Sequence, residues 1–75
     1  MNSFKTDLYK ISFEVSDTID PCVTITNIQT DEYIDLFVID DLCRNVDELL
    51  RDGKIEGKEA IRIIRRSASF LMLNY

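Results

Sequence analysis

Apolar and polar positions alternate strictly along residues 8–16. Successive side chains of a strand point to opposite faces, so a period of two indicates a strand with one buried face. The side chains expected on the buried face are Tyr9, Ile11, Phe13 and Val15. Asp17 and Pro21 follow in a segment with turn composition, and proline fixes the backbone before the next apolar run. We therefore predict a first strand over residues 8–16.

Two further runs, residues 22–29 and 32–39, predict a β-hairpin whose tip is formed by residues 30–31. In that register Ile25 faces Leu36, and nearly all aliphatic side chains of both strands share one face. A shift of one residue would exchange the two faces, so the pattern specifies the pairing strongly. The predicted tip contains no glycine, which two-residue turns prefer, and a longer loop is the alternative.

The remaining chain predicts two helices, over residues 41–52 and 58–72. Asp40 and Asp41 supply carboxylates that can cap the free N–H groups of a helix start and favour its positive dipole end. Apolar side chains recur at helical spacing in the first helix, at Leu42, Val46, Leu49 and Leu50. Gly53 suits the left-handed position that ends many helices. The short connection after it favours two neighbouring helices folded back on each other.

These elements together predict an α+β fold in a single domain of residues 1–75. A three-stranded antiparallel sheet is followed by a two-helix hairpin that packs on one of its faces. An edge strand at residues 70–75 is the alternative to a helix that continues through the C-terminal segment. A chain of this length buries about 60% of its unfolded surface, so self-association would add useful support.

The second helix has a wider apolar arc than one core contact requires. Its main stripe consists of Ala60, Ile61, Ile64, Ala68 and Leu71. Exposed apolar sectors on small proteins usually mark an interface. We therefore predict an oligomer or partner interface formed by Ile63, Phe70, Met72 and Tyr75. A homodimer is ranked slightly ahead of a groove on another protein, because self-association would compensate for the small core.

Charge divides the chain into two unequal parts. Residues 1–56 hold five basic and thirteen acidic side chains, whereas residues 57–75 hold four basic side chains and one glutamate. An acidic body repels nucleic acid and attracts a basic partner over long range. The carboxylates predicted to bind such a partner are Asp31, Glu32, Asp35, Asp40, Asp41, Asp47 and Glu48. Solubility alone is the competing interpretation of the same charge.

Reactive side chains are scarce in this sequence. It has no histidine, and its two cysteines, Cys22 and Cys43, lie among apolar residues. Two thiols cannot close a four-ligand zinc site, and a serine or cysteine nucleophile would have no histidine base. We therefore predict no catalytic residues, no metal and no cofactor. The chain has neither a signal-peptide pattern nor the roughly 18 apolar residues of a membrane span, which predicts a cytoplasmic protein without a membrane partner.

The sequence thus predicts a small acidic, non-enzymatic protein-binding module, an inhibitor or adaptor. Its size and charge are typical of phage and mobile-element proteins, and its acidic face would imitate nucleic-acid charge to bind a basic, nucleic-acid-binding host protein. One alternative is a dimeric DNA-binding regulator, in which Arg62, Arg65 and Arg66 of the last helix contact phosphates. Another is a structural subunit of a larger assembly.

Overall fold

The computed structural model describes residues 2–74. Within this range the chain forms four strands and two helices in the order β1, β2, β3, β4, α1, α2. Their bounds are Asn2–Lys5, Tyr9–Glu14, Cys22–Asn27 and Tyr33–Leu36 for the strands, and Ile39–Arg51 and Gly57–Leu73 for the helices. The predicted α+β fold with an antiparallel sheet and two helices is confirmed. The predicted strand number of three is wrong, because β1 was not foreseen.

Strand β1 pairs with β2 through a tight turn at residues 7–8. Thr6 closes this turn, donating its N–H to the Tyr9 carbonyl at 2.8 Å while its Oγ1 accepts the Tyr9 N–H at 3.1 Å. The pairing places Phe4 opposite Ile11. β1 has a single large apolar side chain, so it has no alternating pattern from which a strand could be predicted. The turn also explains why β2 begins at Tyr9 rather than at residue 8. The strand ends at Glu14 rather than at residue 16, so Val15, expected on the buried face, lies beyond it and is 45% exposed.

The four strands form an antiparallel sheet in sequence order. Ile25 pairs with Ile34 rather than with Leu36, so the predicted register between β3 and β4 is wrong by two residues. The cause is a longer loop, in which Asn27 Oδ1 accepts the N–H groups of residues 29 and 30 and Asp31 adopts a φ of 62°. A shift of two residues leaves every side chain on its predicted face.

Both helices pack on the same face of the sheet. The buried sheet residues on that face are Phe4, Tyr9, Ile11, Phe13, Val23, Ile25 and Leu36. They meet buried helix residues of both α1 and α2, together with Ile55 from the connection between the helices. Helix α1 packs against β4, and α2 packs against β2. The opposite face of the sheet is mostly polar and carries no helix among residues 2–74.

Helix α1 starts two residues earlier than predicted, and its N-cap, Val38, makes no side-chain capping bond. Asp40 and Asp41 lie inside the first turn, where their charge favours the helix dipole without capping it. Gly53 has a φ of 70°, and its N–H bonds to the Leu50 carbonyl at 3.1 Å. This is the left-handed helix end that the glycine predicts.

Helix α2 starts with a capping box, in which the Glu59 carboxylate accepts the Glu56 N–H at 2.8 Å. Residues 70–73 are helical, so the edge-strand alternative is wrong for them. The buried residues of this helix are Ala60, Ile63, Ser67 and Leu71. Ile61, predicted to lie in the core stripe, is 58% exposed. Compared with the prediction, α2 is therefore rotated about its axis, so that Ile63 rather than Ile61 faces the core. The reason is that the sheet and α1 together cover the Ile63 side.

Candidate protein-interaction surfaces

Acidic side chains predominate in the segment of β4 and α1, and basic side chains predominate in α2. Residues 31–51, which include β4 and α1, hold seven carboxylates and two arginines, whereas α2 holds four basic side chains and one glutamate. At the β1 side of the sheet, the Arg62 and Arg66 guanidinium carbons lie 4.3 and 4.8 Å from the centre of the Phe4 ring. Since β1 and β4 are the two outer strands, the two outer edges of the sheet have opposite charge.

A groove of about 400 Å³ runs between β4 and α1. We call it the acidic groove, and its lining residues are Ile34, Asp35, Leu36, Asp41, Arg44, Asn45 and Glu48. Ile34 points to the helix-facing side of the sheet, yet 43% of it remains exposed. Helix α1 therefore does not cover this edge of the sheet. A neighbouring depression shares Ile34 and Asn45 with the groove and extends it toward Glu32 and Tyr33.

The structure brings only some of the predicted acidic residues together. Asp35, Asp41 and Glu48 line the acidic groove, and Glu32 lines its extension. The other three predicted residues lie elsewhere on the exposed surface: Asp31 in the turn before β4, Asp40 beside α2, and Asp47 in an ion pair on α1.

Some of these carboxylates form ion pairs or hydrogen bonds with neighbouring side chains. Asp41 lies 3.3 Å from Arg44, and Asp47 lies 2.8 Å from Arg51. Both pairs are exposed, and pairs of this kind contribute at most about 1 kcal/mol. Asp35 accepts a 2.6 Å hydrogen bond from the Thr24 hydroxyl across the strands. Within residues 2–74, the ion pairs closer than 4 Å involve neither Glu32 nor Glu48.

The predicted apolar interface is only partly exposed. Ile63 is fully buried in the core, and Phe70 is half-buried against the Phe13 ring, with 5.3 Å between ring centres. Neither can serve as a fully exposed anchor. Met72 is 79% exposed, as an interface residue should be. Tyr75 lies outside the described residues.

Sequence reasoning missed two exposed apolar residues next to Met72. Leu73 is 84% exposed, and Val38 is nearly half exposed at the start of α1. The predicted strand over residues 32–39 includes Val38 on its buried face, so the sequence does not indicate that Val38 is exposed. Val38 and Met72 line an open groove of about 630 Å³ together with Ile39, Asp40, Ala68 and Leu71. Leu73 lines a separate depression beside Phe13 and Phe70. We call Val38, Met72 and Leu73 the apolar end of the molecule.

The arginines of α2 lie against aromatic rings. Arg66 also reaches the Phe13 ring, with its guanidinium carbon 5.6 Å from the ring centre. Contacts between a guanidinium group and the face of a ring are worth about 0.5–1 kcal/mol at exposed sites. This gives Arg62 and Arg66 a packing role. Contact of Arg62, Arg65 and Arg66 with phosphates stays a prediction.

The two thiols are separate and differ in exposure. Cys22 and Cys43 are free, the former buried and the latter half-buried. Burial raises the pKa of the Cys22 thiol, and the charges of Asp35 and Glu14 raise it further, while a hydrogen bond with Thr24 acts in the opposite direction. A raised pKa leaves this thiol protonated at neutral pH, and the protonated form is a poor nucleophile.

Residues 2–74 provide neither a cluster of metal ligands nor a membrane-spanning helix. No group of three or more histidine, cysteine or acidic side chains within residues 2–74 is placed to hold a metal ion. Neither helix of that range has both the length and the apolar run that would carry it across a bilayer.

Comparison with known proteins adds no family. No protein-family model matches the chain. No curated protein and no solved structure gives a significant match to it.

Proposed function

We propose that this protein is a non-enzymatic protein-binding module, an inhibitor or adaptor whose acidic side receives a positively charged region of another protein. The observation that supports this best is the acidic groove, where Asp41 and Glu48 of α1 lie beside exposed apolar surface of β4. Asp35 adds a third carboxylate at the same edge of the sheet, on the open face beside Thr24. These carboxylates are attached to a strand and a helix, whose backbone is already ordered. Binding through them therefore loses less conformational entropy than binding through a flexible loop.

The proposed partner is a basic protein, of the kind that binds nucleic acid. A row of exposed carboxylates can occupy a surface that evolved for phosphates, because both present negative charge to lysine and arginine. The α2 side of the molecule carries the opposite charge, so long-range attraction would orient the acidic side toward such a partner.

Charge reversal on the acidic side tests this proposal. Glu32→Lys combined with Glu48→Lys removes two carboxylates that lie outside the ion pairs of α1. The matched control is Asp17→Lys combined with Asp20→Lys, which changes net charge equally in the exposed loop between β2 and β3. Tagged wild type and both variants are used for affinity capture from the source cells, with mass spectrometry to identify the proteins retained.

The expected result is one basic protein retained by the wild type and the control but lost by the Glu32→Lys, Glu48→Lys variant. Binding should also weaken as salt rises, because the contributing charges are exposed. Equal retention by all three proteins would show that the acidic side is not the binding surface.

A structural subunit of a larger assembly is the second candidate, and the apolar end favours it. Met72 and Leu73 are the two most exposed of the large apolar side chains among the described residues. In the same capture experiment, Met72→Gln combined with Leu73→Gln would then lose the partner, while the Glu32→Lys, Glu48→Lys variant would keep it.

A further inference from the structure

Strand β4 is an outer strand with main-chain groups directed away from the sheet. Its neighbour on one side is β3, and the strand order of the sheet ends with it. The Asn27 N–H donates to the Glu32 carbonyl at 2.8 Å, which identifies this pair as hydrogen-bonded. Hydrogen-bonded and non-bonded pairs alternate in an antiparallel ladder, so Ile34 and Leu36 bond to β3. Tyr33 and Asp35 therefore direct their N–H and C=O groups outward.

The surroundings of this edge suit an added strand. Tyr33 is 68% exposed, and the acidic groove lies between the edge and α1. The side chains of an added strand would alternate between the groove and the open face of the sheet. Those directed into the groove would meet Asp41 and Glu48, together with Arg44, which is paired with Asp41. Lysine or arginine at every second position matches this arrangement.

The opposite edge of the sheet, at β1, is positively charged. There Lys5 lies on β1, and the arginines of α2 pack over Phe4. A basic segment would be repelled from that side. The charge of the molecule thus distinguishes its two outer strands, and it favours β4 for a positively charged segment.

We propose that β4 binds an extended basic segment of the partner protein, which adds to the sheet as a fifth strand beside α1. This rests on the proposed function and specifies how the acidic side engages its partner. Main-chain hydrogen bonds to β4 would supply affinity, and alternate basic side chains in the acidic groove would supply specificity.

Two independent changes test strand addition. The probe is a ten-residue peptide of alternating lysine and valine, compared with the same peptide methylated on the amide nitrogen of every valine and with a glutamate–valine peptide. Methylation keeps the charge and removes hydrogen-bond donors. In the protein, Tyr33→Pro removes an outward N–H without touching the bonds to β3, because proline is tolerated at such edge positions.

Ser3→Pro is the matched control on the other edge. The Thr6 N–H bonds to the Tyr9 carbonyl, so by the same alternation Ser3 directs its N–H away from β2. Circular dichroism of both proline variants checks that the fold is kept, and the methylated peptide tests the proposal in the unchanged protein.

Calorimetric titration should show binding of the lysine peptide to wild type and to Ser3→Pro. Affinity should fall about tenfold or more for the methylated peptide, which loses several main-chain donors, and about two- to tenfold for Tyr33→Pro, which loses one. The glutamate peptide should not bind. Equal binding of the methylated and unmethylated peptides would overturn strand addition and leave charge alone as the cause.

Affinity capture with the Tyr33→Pro variant distinguishes strand addition from binding by the acidic side in general. If Tyr33→Pro still captures it and the Glu32→Lys, Glu48→Lys variant does not, the acidic side binds without an added strand. A dimer detected by light scattering and abolished by Tyr33→Pro, with no peptide bound, would show that the edge pairs with a second copy of the chain. That result would also overturn the inference.

Discussion

Ser67 is a polar side chain placed in the hydrophobic core. It is fully buried on α2, and among the described residues its hydroxyl finds no hydrogen-bond partner. A buried hydroxyl without a partner costs about 1–3 kcal/mol in desolvation. The position requires a small side chain more than it requires a polar one, since it lies between the buried Ile63 and Leu71 on the core side of α2.

Ser67→Ala should raise the free energy of unfolding by about 1 kcal/mol, because it removes the unbonded hydroxyl and improves helix propensity. Ser69→Ala, at an exposed position of the same helix, isolates the propensity effect and should give only a few tenths of a kcal/mol. Urea unfolding of the three proteins measures both changes. A Ser67→Ala effect no larger than that of Ser69→Ala would show that the hydroxyl is satisfied in solution.

At the scale of elements, local periodicity predicts faces better than it predicts pairings. β2 and the faces of the β3–β4 hairpin were predictable, because alternation determines which side chains are buried. Their register was not, because the Asn27 side chain and the positive φ of Asp31 form a loop that sequence spacing does not reveal. β1 was missed because Phe4 alone cannot show a pattern.

The core face of α2 depended on its neighbours rather than on its own sequence. Both Ile61 and Ile63 fall within its wide apolar arc, and only packing against the sheet and α1 decides which is buried. The predicted interface failed at Ile63 for this reason. The same limit applies to the acidic residues, because sequence could not show which of them converge on the groove between β4 and α1.

The left-handed conformation of Gly53 at the end of α1 can be tested by substitution. Gly53 has a φ of 70° with open space around its Cα, so a methyl group there meets no atoms but forces an L residue into a left-handed conformation. Gly53→Ala should destabilise the protein by about 1 kcal/mol. Gly57→Ala is the matched control, since it also meets open space but has no positive φ. It should be neutral or stabilising by up to about 1 kcal/mol in chemical denaturation. Equal effects of the two substitutions would contradict the left-handed helix end.

At the scale of the whole molecule, two helices cover one face of the sheet and leave three kinds of surface. These are the acidic groove beside β4, the arginine-covered side at β1 and the apolar end at Met72 and Leu73. Their separation lets each be changed without disturbing the others. Net charge alone would keep the chain soluble, so solubility does not depend on which carboxylates lie beside the acidic groove.

The most direct test of the central claim is a map of the binding surface. Backbone amide shifts of isotope-labelled protein are followed by nuclear magnetic resonance as the captured partner is added. We predict that changes concentrate in residues 32–36 and 41–48, around the acidic groove. Changes centred on Met72 and Leu73, or on the arginines of α2, with residues 32–36 and 41–48 unaffected, would contradict the claim that the acidic side binds the partner.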